Sequence, residues 1–174
     1  MVQQTTIYRT KNYIAFDGDE SYYCYLNLLR WGNDENCEFT INNAHNVNFA
    51  HNDSLPDSIK KQLKERLDKS KNIIFIIDNA IQYNRKGIID YEINYAIRNK
   101  LPIILVFKGY HSTDFMDCRT SDKDLLPLLP KCLKDVSKEN KYCLICPFTI
   151  DVINKAMIYT NNNLPKCGYN LYWR

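Results

Sequence analysis

The chain has 174 residues, 45% of them hydrophobic and 25% charged, with a formal net charge of +3. A chain of this size is expected to form one domain, 1–174, with a core that needs no metal or disulfide support. The basic excess is too small to argue for nucleic acid or a membrane surface, and no apolar run reaches membrane-spanning length.

The predicted elements alternate. "KNYIAFD" (11–17) is a strand, and "ESYYCYLNLLRW" (20–31) the helix after it. "CEFTINNA" (37–44) is a second strand, leading into a long polar loop, "HNVNFAHNDSLP" (45–56). Pro56, near the first helical position, opens the charged helix "PDSIKKQLKERLDKS", whose buried face is Ile59, Leu63 and Leu67. "NIIFIID" (72–78) and "LPIILVF" (101–107) are nearly continuous apolar runs, as parallel strands buried on both faces require. Between them lies a helix, "KGIIDYEINYAIRN" (86–99). A loop and a Pro-broken segment (122–136) follow, then a fifth strand, "KYCLICPF" (141–148), and a closing helix, "IDVINKAMIYTNN" (150–162).

This alternation predicts an α/β fold: a flavodoxin-like, doubly wound parallel sheet of five strands in the order 2-1-3-4-5. Such sheets bind ligands beyond the carboxyl ends of their strands, at the switch point beside the first strand. The candidate site therefore falls at the ends of "YIAFD" and "NIIFIID", at the loop after "EFTINNAH", and at the start of the 86–99 helix.

The seven cysteines are odd in number and lack framework spacing, and the N-terminus has no signal-peptide h-region. Both features point to reduced thiols in a cytoplasmic protein. "CLIC" (Cys143–Cys146) is a C-x-x-C only in form. Strand alternation sends its thiols to opposite faces, and no second pair completes a zinc site, so no metal is expected.

In the 86–99 helix, Ile89, Ile93, Ala96 and Ile97 form an apolar stripe, while Asp90, Asn94 and Arg98 point to solvent. Glu92 projects roughly 80–90° from the stripe centre, which predicts a place at its rim. Asp17 closes the first strand where this fold binds ligands. Asp19 and Glu20 suit a helix N-terminus, Gly18 turns the chain, and His45 ends the second strand on the same edge. Arg85 and Lys86 precede the Glu92 helix and could meet phosphates. Neither a G-x-G-x-x-G nor a Walker loop is present, which argues against classical dinucleotide and triphosphate cradles.

The segments "YIAFDGDESYYCYLNLLRW", "EFTINNAHN", "DSIKKQLKERLDKSKNIIFIIDN" and "RKGIIDYEINYAIRNKLPIILV" together resemble the TIR-like family that includes ThsB of bacterial Thoeris anti-phage systems. The resemblance covers roughly the first two-thirds of the chain. It implies a TIR fold that cleaves NAD as substrate without a further cofactor, with the catalytic glutamate falling on Glu92. It also implies a substrate pocket near Phe16, Asp17, Asp19 and His45, with Tyr91 beside the glutamate. A nucleotide product of this kind, a linear or cyclic ADP-ribose, would act on a separate effector, after a phage-derived trigger and self-association of the chain. Ile88 stands where many relatives carry tryptophan, and little after Gly109 can be matched.

The chemistry agrees with that expectation. Cleavage of the nicotinamide–ribose bond passes through an oxocarbenium-like species, and its leaving group is already cationic. One carboxylate in a partly dry cleft can hold the ribose hydroxyls and stabilise the developing charge. Three alternatives share the fold. A receiver-type phosphoacceptor would use Asp17 and Asp78, but "CLICPFTID" lacks the lysine expected after the fifth strand. The others are a nucleoside deoxyribosyltransferase-like enzyme and a non-catalytic TIR adaptor.

Overall fold

The computed structural model describes residues 9, 11–16, 21–35, 57–78, 87–110, 128–129, 142–162 and 168–171. Their order is β1 (Lys11–Ala15), α1 (Tyr22–Gly32), α2 (Asp57–Asp68), β2 (Ser70–Ile77), α3 (Ile88–Arg98), β3 (Ile103–Phe107), β4 (Tyr142–Pro147), α4 (Ile150–Asn162) and β5 (Gly168–Leu171). The strands form one parallel sheet in the order β1-β2-β3-β4-β5.

Alternation along each strand divides the core into two layers. Tyr13, Ala15, Ile73, Phe75, Ile77, Ile103, Leu105 and Phe107 face one way and pack against Leu63 and Leu67 of α2 and Ile89, Ile93 and Ala96 of α3. Ile14, Phe16, Ile74, Ile76, Ile104 and Val106 face the other way, against Cys24, Tyr25 and Leu28 of α1 and Ile153, Ala156 and Met157 of α4. Helices thus cover both faces, which is why β2 and β3 read as unbroken apolar runs. The chain is an α/β protein with a parallel sheet.

Two details lock the frame. Asn72, buried at the start of β2, donates from Nδ2 to Thr160 Oγ1 at 3.1 Å and pins the end of α4 beneath the sheet. Helix α3 ends with Lys100 in the left-handed region (φ 51°), where Lys100 N donates to Ile97 O at 3.2 Å and Leu101 N to Ala96 O at 2.9 Å. This Schellman closure turns the chain directly into β3, with Leu101 buried behind it.

The predicted second strand, "CEFTINNA", lies outside the described residues, so the described sheet carries only the 1-3-4-5 part of the expected order. β5 is an addition that the sequence reading does not contain. The helices of the β2–β3 and β4–β5 steps lie on opposite faces, so these steps differ in hand, and nothing in the described residues accounts for it. Cys143 and Cys146 fall in opposite layers, buried and unbridged, as alternation requires. Among the described residues, no helix is long and apolar enough to cross a membrane and no cluster of ligating side chains could hold a metal.

Candidate functional site

Helix α3 begins at Gly87, whose φ of 66° places it in the left-handed region. Its buried face comprises Ile89, Glu92, Ile93 and Ala96, while Asp90 and Arg98 are exposed as expected and Asn94 is half-buried. Glu92 is therefore not at a rim. It is 1% exposed and belongs to the core-facing side of the helix, whereas Ile97, assigned to the stripe, is only half-buried. The buried face is rotated toward Glu92 because a polar partner from the sheet meets it there. Tyr13, fully buried on β1, donates its hydroxyl to Glu92 Oε1 at 2.5 Å. Glu92 Oε2 is buried without a hydrogen-bond partner among the described residues.

The electrostatics follow from that placement. Burial pushes the Glu92 carboxyl up to about 8, opposed by the Tyr13 hydrogen bond and by the charge of Arg66 on α2. Burial also raises Tyr13 well above the usual phenol range, and the Glu92 carboxyl adds to the effect. Glu92 thus sits where small changes of surroundings decide whether it carries a charge at neutral pH.

Tyr91 points along the outside of this layer. Its hydroxyl donates to Lys60 O on α2 at 3.3 Å, and its ring lies 6.4 Å from that of Tyr95. The Tyr95 hydroxyl bonds Asp68, which also accepts from Lys64 Nζ at 2.7 Å. These contacts tie α3 to α2 on either side of Glu92. Burial raises the Asp68 carboxyl, but its hydrogen bonds from Lys64 and Tyr95 outweigh burial and leave it below the ordinary value.

Phe16 follows β1 and belongs to the opposite layer. Its ring stacks on Tyr25 at 4.8 Å and tilts against Tyr22 at 6.4 Å. The sheet thus separates Phe16 from Glu92 and Tyr91, and the described residues do not bring the three together. Asp17, Asp19 and His45 lie outside the described residues.

The ends of β2 and β3 form a second feature of the same edge. A cleft of about 280 Å³ is lined by Ile77, Asp78, Phe107, Lys108, Gly109, Tyr110 and Leu128. Asp78 receives a hydrogen bond from the hydroxyl of Ser21, the buried residue that begins α1. Glu92 does not line this cleft. Lys108 follows β3, whereas Phe148 and Thr149 follow β4, so the described residues place no lysine directly after the strand where a receiver-type site needs it.

Tyr13 is the partner of Glu92 that sequence reading missed. A signal existed: a tyrosine in a strand expected to be buried carries a hydroxyl that must find a partner. Which partner it finds depends on a contact 79 residues along the chain.

A family model described as Thoeris protein ThsB, TIR-like domain, matches residues 13–113, more than half of the chain. The chain belongs to the ThsB TIR-like domain family. The match spans β1 through β3 and includes Tyr13 and Glu92, so both partners of the buried pair lie within the ThsB TIR-like region. It ends shortly after Gly109, where the resemblance read from the sequence also fades.

Proposed function

We propose that this chain cleaves NAD at the nicotinamide–ribose bond and that Glu92 is its catalytic carboxylate. The observation that carries the reading is a buried carboxyl on α3 with one oxygen held by Tyr13 and the other without a hydrogen-bond partner among the described residues, in a chain of the ThsB TIR-like family. In the reaction, the bond between ribose C1′ and the nicotinamide nitrogen breaks and its electron pair leaves with nicotinamide. The ribose becomes oxocarbenium-like, and ionised Glu92 stabilises that charge while accepting hydrogen bonds from the ribose hydroxyls. Water adding at C1′ and releasing a proton completes hydrolysis to ADP-ribose. A hydroxyl of the same ADP-ribose adding there and releasing its proton, in a site that excludes water, gives a cyclic isomer.

In this reading Asp17, Asp19 and His45 contact the substrate, Tyr91 borders the pocket, and no cofactor beyond NAD takes part; Phe16, which the sheet separates from Glu92, is left out of the pocket. The protein works in the cytoplasm as part of a Thoeris defence system, and its product acts on a separate effector. At 1% exposure Glu92 requires a rearrangement before NAD reaches it, which supports a need for a trigger or for self-association.

Incubation with NAD, with and without extract of phage-infected cells, followed by chromatography for nicotinamide, tests the proposal. Nicotinamide release by the parent that is lost in Glu92→Gln is expected. Release that survives the substitution rejects the assignment. The same burial favours one other reading, in which Glu92 is a neutral core group and the chain is an interaction module. That reading requires no release by the parent under any of these conditions, and partner binding unchanged in Glu92→Gln.

A further inference from the structure

Tyr13 is the polar exception among the residues that β1 contributes to the α2/α3 layer. Its layer-mate on the strand is Ala15, its register neighbour on β2 is Ile73, and the hydrophobic cluster it joins is otherwise mainly aliphatic, with Glu92 as the charged group beside it. A phenylalanine would fill the same space, so packing accounts for the ring and not for the hydroxyl. A buried hydroxyl is costly without a partner, and this one meets a carboxyl that is just as buried. The bond falls on Oε1 alone and leaves Oε2 without a hydrogen-bond partner among the described residues.

We propose that Tyr13 is the positioning residue of the site: its hydroxyl holds Glu92 by Oε1, so that Oε2 is the oxygen that meets the substrate ribose. The inference rests on the reading of Glu92 as the catalytic carboxylate. A glutamate side chain has three rotatable bonds, and helix packing alone leaves the carboxyl free to turn about the last of them. One donor from the sheet removes that freedom. The same bond also favours the ionised form that the chemistry needs, against the burial that opposes it. The other groups bearing on the pair are Arg66 of α2, whose charge also favours ionisation of Glu92, and Tyr91 of α3, which acts on Tyr13.

The test is Tyr13→Phe, which keeps the ring and removes the donor. Carbon-13 carboxyl resonances of the full chain are followed against pH, and the Glu92 signal is identified by its loss in Glu92→Gln. The Glu92 midpoint is expected to move up by at least about one pH unit, the interval that one hydrogen bond to a charged group supports. The rising limb of nicotinamide release against pH should move by the same interval. Turnover then falls about tenfold or more at pH 7 and recovers at the alkaline plateau. A folded Tyr13→Phe whose Glu92 midpoint stays in place overturns the proposal, as does a moved midpoint with an unmoved rate profile. Where the parent releases no nicotinamide at all, the proposed function fails, and the catalytic part of this inference fails with it. The carboxyl titration then shows separately whether Tyr13 governs Glu92. If Tyr13→Phe does not fold, 3-fluorotyrosine installed at position 13 supplies a stronger donor in the same place and must lower the Glu92 midpoint.

Discussion

Glu92 combines two demands that oppose each other: the proposed chemistry needs its negative charge, and its burial resists that charge. Glu92→Gln keeps size and hydrogen-bonding shape while removing the charge. Nicotinamide release should fall on the order of a hundred- to a thousandfold, the usual effect of deleting a preorganised electrostatic group. Stability should respond with a defined sign. Below its ordinary value of 4.5 the carboxyl is protonated in both the folded and unfolded chain, and its contribution is fully present. That contribution is lost as pH rises through about 8, because the unfolded chain ionises freely while the folded one resists. Melting scans of Glu92→Gln should therefore match the parent near pH 4.5 and lie higher at pH 8.5. A gain of about 2–4 °C is expected for each kcal/mol recovered in a chain of this size. Equal curves at both pH values would mean that Glu92 is not buried in solution. Sequence periodicity placed Glu92 at a rim and so misjudged its depth. The stripe was centred on aliphatic side chains, whereas the buried face also includes a carboxyl whose partner lies on a distant strand.

At the scale of elements, α3 is held by its apolar face and by the two tyrosines that reach α2. Ile93, fully buried at the centre of that face, sets the cost of loosening it. Ile93→Ala should destabilise the chain by about 2–5 kcal/mol in a denaturant titration. A loss below 1 kcal/mol would show that α3 is not packed as described. The central strands were legible because two-sided burial leaves a continuous apolar run, and "CLIC" could be assigned to two faces by counting alone. β5 was not legible, since "GYNL" has neither an apolar run nor clear alternation. The C-terminus of α3 hid its stop signal for a related reason: the left-handed position is taken by Lys100 instead of the usual glycine. Cys143 and Cys146 supply a direct check on the strand assignment. Peptide mapping after native alkylation should find both unmodified, and both should react fully once the chain is unfolded.

For the molecule as a whole, the depth of Glu92 makes isolated chains poor catalysts in the proposed reading. Turnover should rise with assembly or with a phage-derived trigger, and light scattering run beside the nicotinamide assay would follow both. Robust turnover by a strictly monomeric preparation would remove the need for activation. The order of β and α segments, and with it the α/β class, could be read from the chain because each unit carries its own hydrophobic period. The substrate pocket could not be read in the same way. It depends on which loops meet at one sheet edge, and Phe16 shows the difficulty: it follows the right strand and faces the layer away from Glu92.

The glycine that begins α3 has a consequence for hydrogen exchange. Gly87 offers no side-chain oxygen to the first amides of the helix, so the turn immediately before Glu92 is held by backbone bonds such as Tyr91 N to Gly87 O at 3.0 Å. The opposite end is fastened by the Lys100 closure. Fraying should therefore run from one end only, and amides at 90–92 should exchange faster than those at 96–98. A Cβ at position 87 meets nothing within 4 Å, so it is the left-handed backbone alone that strains any side chain there. Gly87→Ala should therefore cost about 1–2 kcal/mol and speed exchange in that first turn. If opening of this turn is how solvent and ligand reach Glu92, the loosened helix will also be the faster enzyme.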